Sequence, residues 1–143
     1  MVSRPQVSVS LADIAHELNL QCTSDALVTG ITHDSRQVQP GDLYVAIPGL
    51  QQHGINFLAE ALANGAVAIA SDHEGCLQAD KAGIPSVKLN APRRDMALLA
   101  SAVYDHPERK MTLVGVTGTN GKTTVTQMLR HVLLKQNKRT GVI

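Results

Sequence analysis

The run Gly115-Val116-Thr117-Gly118-Thr119-Asn120-Gly121-Lys122-Thr123-Thr124 gathers glycines, hydroxyl side chains and one lysine into a single short stretch. That combination can hold phosphate. Glycines let a backbone turn tightly and aim several N–H groups at one anion. A helix starting just after them adds the positive end of its dipole. Lys122 brings a mobile positive charge to the outer phosphates, and Thr123 offers a hydroxyl to Mg²⁺. The spacing departs once from G-x-x-x-x-G-K-[ST]: Val116 stands where the first glycine belongs. The plain alternative is a glycine-rich turn that happens to carry a lysine. The flanks argue against it, because the apolar run Met111–Val116 reads as a strand and Val125–Lys135 as a helix.

A second polar group needs positioning too. Val28–Thr32 is a brief β-rich run that delivers His33-Asp34-Ser35-Arg36. Pro40-Gly41-Asp42 signals a turn, and Leu43–Ile47 reads as a strand buried on both faces. Pro48-Gly49 ends it, and the polar loop Leu50-Gln51-Gln52-His53-Gly54 follows. Both polar segments therefore follow the carboxyl ends of expected parallel strands, where α/β sheets place ligands. Ser35 can donate to a phosphate or uracil oxygen, and a Gln amide can read a uracil edge.

The remaining elements frame these segments. Met1–Val9 reads as a loose leader. Ser10 with Asp13 forms a capping box, and Leu11, Ile14, Ala15 and Leu18 share one helical face, ending near Asn19. Asn56 is the expected cap of a helix through Leu62, closed by Asn64-Gly65. Ala66–Ala70 and Ser86–Leu89 read as strands, with a short helix over Glu74–Lys81 between them. Asn90 is the expected cap of a helix running to Tyr104, with Pro92 in its first turn. The polar, proline-containing stretch Asp105–Lys110 marks a domain junction. Gly141, Val142 and Ile143 read as the start of a further strand.

Composition narrows the classes. Tyr44, Phe57 and Tyr104 are the only aromatics, so the core is built from Val, Ile, Leu and Ala, and there is no stacking platform for bases. The net charge of +1 gives no electrostatic support to a nucleic-acid or acidic-membrane partner. Cys22 and Cys76 lie far apart without a CxxC, which reads as reduced thiols and a cytoplasmic location. No apolar run is long enough to span a bilayer. His16, His73, His106 and His131 show no metal-ligand spacing, and no nucleophile–base pair stands out. Asp34 and Arg36 have an alternative role in pairing with each other or capping a turn.

Two blocks read together resemble a known family. One is Asp34-Ser35-Arg36 with Pro40–Ala46 and His53–Phe57. The other is Thr117–Thr124. In this order and separation they resemble the Mur ligases, most closely the MurE type. The resemblance implies an α/β fold: a small N-terminal domain over residues 1–107, then the opening strand, phosphate loop and helix of a truncated ATPase domain over residues 111–143. It implies that Gly118, Thr119, Asn120, Gly121, Lys122, Thr123 and Thr124 hold ATP, that Lys122 neutralises charge during transfer, and that Thr123 binds Mg²⁺. It also implies that His33, Ser35, Leu50, Gln51 and Gln52 hold the UDP end of a UDP-muramoyl dipeptide. A diamino acid, diaminopimelate or lysine, is then joined to that dipeptide. His53 departs from the family's usual Asp at its position, and no specific role is carried over to it. The expectation for the 143-residue chain alone is ligand binding without catalysis. A MurF-type ligase and a non-catalytic nucleotide-binding regulator are the competing readings. Thr119-Asn120 favours the MurE type over MurF, and Thr123-Thr124 differs from the folylpolyglutamate synthetase pattern.

Overall fold

The computed structural model describes residues 7–49 and 51–143. The chain divides into two compact units, Met1–Lys110 and Met111–Ile143.

The first unit is built on a five-stranded sheet. Its strands are β2 (Gln21–Cys22), β4 (Gly30–Thr32), β5 (Asp42–Ala46), β6 (Ala68–Ser71) and β7 (Ser86–Lys88), in the order β2-β7-β6-β5-β4. β4 to β7 run parallel, and β2 closes the β7 edge antiparallel, with Gln21 opposite Lys88. A small antiparallel pair, β1 (Val9–Ser10) with β3 (Leu27–Val28), lies outside this sheet. Four helices complete the unit: α1 (Leu11–Glu17), α2 (Leu58–Ala63), α3 (His73–Lys81) and α4 (Pro92–Val103).

Every residue of β5 is buried, as expected for a strand covered on both faces. Its side chains alternate between two cores. Leu43 and Val45, with Ala68, Ala70, Val87 and Leu89, pack against Leu11, Ile14 and Ala15 of α1 and Leu99, Ala102 and Val103 of α4. Tyr44, Ala46 and Ile69 join Val38, Ile55, Ala61 and Ala79 on the opposite face. The result is a three-layer α/β/α unit. Small residues allow close approach between layers. Ser71 is fully buried and donates to Ala46 O at 2.6 Å, and a Cβ at Gly75 of α3 would lie 2.0 Å from the Ser71 Oγ.

Several local expectations are corrected. Val9 belongs to β1 and not to a loose leader, because pairing with Val28 satisfies its backbone. The run Val28–Thr32 is split between two sheets at Thr29, whose N–H bonds to Gly41 O at 2.8 Å. The helix after β5 does not start at an Asn56 cap. A 3₁₀ turn, Gly54–Phe57, precedes α2, and the cap is His53, whose Nδ1 accepts from Ile55 N at 3.0 Å. Asn90 does not cap α4 either. Buried Asp95 reaches back, and its Oδ2 accepts from Asn90 N at 2.7 Å and Ala91 N at 2.8 Å. That is the acid half of a capping box, and it makes a cap side chain at Asn90 redundant. By contrast, Ser10 accepts from Asp13 N at 3.1 Å, as its spacing predicts.

His106 is tied to its neighbours. Its side chain is 15% exposed, with Nδ1 2.9 Å from Ser101 Oγ and 3.2 Å from Glu108 Oε1. Glu17 Oε1 lies 2.9 Å from Nε2 but off the ring N–H direction, so that contact is electrostatic.

In the second unit, α5 (Lys122–Lys135) forms where expected. The strand expected over Met111–Val116 does not, nor does one begin at Gly141. A strand exists only through its neighbour's hydrogen bonds, and among the described residues none pairs with either segment. No helix among the described residues is long and apolar enough to cross a membrane.

Asp95→Ala is expected to destabilise the first unit by about 1–2 kcal/mol, as for loss of a helix cap. Asp95→Asn, which keeps an acceptor oxygen, should cost less. Thermal unfolding followed by circular dichroism distinguishes the two.

Candidate functional site

The carboxyl ends of β4, β5, β6 and β7 lie along one edge of the sheet, because these strands pair in parallel register. Residues 33–37 leave β4 there, and the loop after Ala46 leaves its neighbour β5. The register sets Thr32 beside Tyr44, so the two polar segments named from sequence emerge from adjacent strands.

Within the first segment Asp34 does structural work. Its side chain accepts from Arg36 N at 3.1 Å, capping the 3₁₀ turn Ser35–Gln37, and takes two further bonds from Arg36 Nε and Nη2 at 2.9 and 2.8 Å. The Arg36 guanidinium holds this carboxyl well below the usual carboxylate range. Pairing with Arg36 and capping are therefore both realised. His33 is exposed, whereas Ser35 is buried. The Ser35 hydroxyl donates to Glu60 Oε2 at 2.5 Å, and Asn64 Nδ2 donates to Ser35 O at 2.9 Å. The partners come from α2 and its C-cap, and neither was legible in the sequence as part of the site.

The second segment is a narrow loop. Gly49 N bonds to Gln52 O at 3.2 Å, Pro48 bridges His53, and Gly54 N bonds to Ile47 O at 3.0 Å. Gln51 and Gln52 are exposed on it. Leu50 lies outside the described residues. Tyr44 supports the base of the loop, its hydroxyl donating to Gly54 O at 2.9 Å. Burial pushes this phenol up to about 12, with the charges of Asp34 and Glu60 adding to the effect.

His53 has a definite place. Its Nδ1 accepts from Ile55 N, so in the neutral ring the proton sits on Nε2, 3.0 Å from Asp72 Oδ2. Asp72 caps α3 through Gly75 N at 3.0 Å. The pair ties the loop after β5 to the helix after β6. No cluster of metal-ligating side chains occurs among the described residues.

The glycine-rich run lies in the second unit. Gly118 and Gly121 have φ of 150° and 80°, and Gly121 is the N-cap of α5. Those left-handed values are open to glycine and costly for other residues. Lys122 Nζ donates to Gly118 O at 2.5 Å, which sets the ammonium over its own loop. Thr123 and Thr124 occupy the exposed first turn of α5, where backbone N–H groups lack intrahelical acceptors. The donors suit phosphate, and a threonine hydroxyl suits a hard cation such as Mg²⁺.

Burial raises the Asp72 carboxyl, but its bonds from Gly75 N–H and His53 outweigh this and hold it below the ordinary value. Its stabilising contribution is therefore full above the unfolded value of about 4 and fades as pH falls below it. Asp72→Ala should cost about 1 kcal/mol at neutral pH, and Asp72→Ser, which keeps the cap and loses His53, should cost less. The difference in melting temperature between wild type and Asp72→Ala should shrink as the pH is lowered from 7 towards 3.

Residues 27–107 match the Mur ligase family, catalytic domain, and residues 116–143 match the Mur ligase middle domain. A UDP-N-acetylmuramoyl-L-alanyl-D-glutamate–2,6-diaminopimelate ligase of Streptomyces coelicolor is 42% identical over 134 residues, covering 93% of this chain and 26% of that protein. The ligase of the same name from Pseudomonas aeruginosa is 38% identical over 128 residues, covering 90% and 26%. The chain thus spans about a quarter of the length of these relatives. Among solved structures, a MurF ligase from Thermotoga maritima in complex with ADP is 32% identical with a TM-score of 0.58, over 78% of this chain and 24% of that one. A MurF from Acinetobacter baumannii shares the fold, with a TM-score of 0.68 at 21% identity over 92% and 29%. With both sequence blocks inside the matched segments, this chain belongs to the Mur ligase family.

Proposed function

We propose that this chain carries two binding portions of an ATP-dependent ligase that joins diaminopimelate to UDP-N-acetylmuramoyl-L-alanyl-D-glutamate. The observation that carries this reading is 42% identity to a ligase of that name, over 93% of the chain and across both polar blocks. In such a ligase ATP phosphorylates the terminal carboxylate of the dipeptide and leaves as ADP. The amine of the diamino acid then attacks the acyl phosphate, forming the amide and releasing phosphate.

Each part of the chain has a role in that chemistry. Gly118, Thr119, Asn120, Gly121 and Thr124 line the phosphate cradle. Lys122 stabilises negative charge as the phosphoryl group moves. Thr123 holds Mg²⁺. In the first unit, residues 1–107 anchor the uridine diphosphate end through His33, Ser35, Leu50, Gln51 and Gln52. The partners are small molecules, with neither nucleic acid nor membrane among them, and the location is cytoplasmic. A MurF-type ligase is the second reading, supported by 32% identity to the Thermotoga maritima enzyme.

Titrating UDP and Mg²⁺-ATP separately against the 143-residue chain tests the assignment. Ser35→Ala should weaken UDP roughly tenfold and leave ATP unchanged, and Lys122→Ala should do the reverse, as expected for loss of one hydrogen bond or charge contact. Neither variant nor wild type should convert ATP to ADP in the presence of the dipeptide substrate. ATP binding without any response to UDP would replace the ligase reading with a nucleotide-binding regulator.

A further inference from the structure

A serine hydroxyl has one proton to give and two lone pairs to receive. At Ser35 the proton is engaged. Its acceptor is Glu60 Oε2 at 2.5 Å, and a carboxylate oxygen offers no proton in return. The arrangement is held from both sides. Asn64, the C-cap of α2, pins the Ser35 carbonyl at 2.9 Å, and Asp34 caps the turn that presents Ser35. What Ser35 has left for a ligand is acceptor capacity.

That sorts the groups of a uridine diphosphate. Its phosphate oxygens are acceptors carrying negative charge, so they gain nothing from a lone pair and are repelled by Glu60. Arg36, on the same turn, already spends two N–H groups on Asp34. The uracil ring instead offers N3–H, a donor flanked by two carbonyl oxygens. The exposed amides of Gln51 and Gln52, on the loop leaving the adjacent strand, are suited to those carbonyls.

We propose that Glu60 sets the specificity of the nucleotide site: by holding the only proton of Ser35 it makes that hydroxyl an acceptor for uracil N3–H, and so places the base, not the diphosphate, against the turn after β4. This deepens the uridine-binding reading and rests on it. Cytosine carries a lone pair at N3, so it would face the lone pairs of Ser35. The site should therefore prefer UDP to CDP, and Glu60 should be the reason.

The test compares UDP and CDP binding to the full 143-residue chain by calorimetry. Wild type should prefer UDP by roughly tenfold or more, the scale set by one hydrogen bond against one lone-pair clash. Glu60→Ala frees the Ser35 proton, which can then be donated to cytosine N3, so the preference should collapse towards one. Glu60→Gln keeps an acceptor oxygen and should retain the preference within about threefold. A purely structural role for Glu60 would weaken UDP and CDP alike and leave their ratio intact, and that result overturns the proposal. So does UDP binding by wild type with no preference over CDP, which leaves the uridine-binding reading standing. No UDP binding by wild type overturns both. Melting temperatures of the variants, measured alongside, confirm that the compared chains are folded.

Discussion

The first unit depends on one strand being covered on both sides. β5 is buried at every position from Asp42 to Ala46, and its alternation feeds Leu43 and Val45 into one core and Tyr44 and Ala46 into the other. Neither core contains a large aromatic cluster. Contact is made instead by aliphatic side chains, Leu, Val, Ile and Ala, packed closely between layers. The Ser71–Gly75 approach shows how tight this is, since even one added methyl group has no room there.

Parallel pairing has a chemical consequence. It sends the carboxyl ends of four strands to one edge, so segments distant in sequence leave the sheet side by side. The loops there are tied down by side chains from the following helices. Glu60 of α2 and its C-cap Asn64 hold the turn after β4, and Asp72 holds His53 of the loop after β5. Asp72 thus serves twice, as the cap of α3 and as a support for the loop after β5. The edge that results carries carboxylates at Asp34, Glu60 and Asp72, two of them answered by Arg36 and His53.

The phosphate loop follows different physics. Its turn needs only glycine backbone freedom and a helix to follow, both local properties, and the Lys122–Gly118 contact spans four residues. α5 nonetheless has no buried residue, and Val125, Met128 and Val132 are exposed along it. A helix can close its hydrogen bonds within itself, whereas a strand cannot. That is why α5 forms while Met111–Val116 stays unpaired.

What the sequence determined by itself was local or periodic. The apolar run of β5, the Ser10 cap, the α3 helix and the glycine–lysine turn follow from backbone rules that act over a few residues. The two polar blocks were legible because residue type carries their chemistry. Tertiary structure alone decided which side chains distant in sequence meet. Nothing in the sequence singles out Glu60, and only the packing of α2 beside the turn after β4 brings its carboxylate to Ser35. The cap partners were settled within the local chain, yet not by residue type alone: Asn90 and Asn56 had cap chemistry, but Asp95 accepts from Asn90 N and His53 from Ile55 N. A side chain's type states which bonds it can make, and only the folded chain states which partner is within reach.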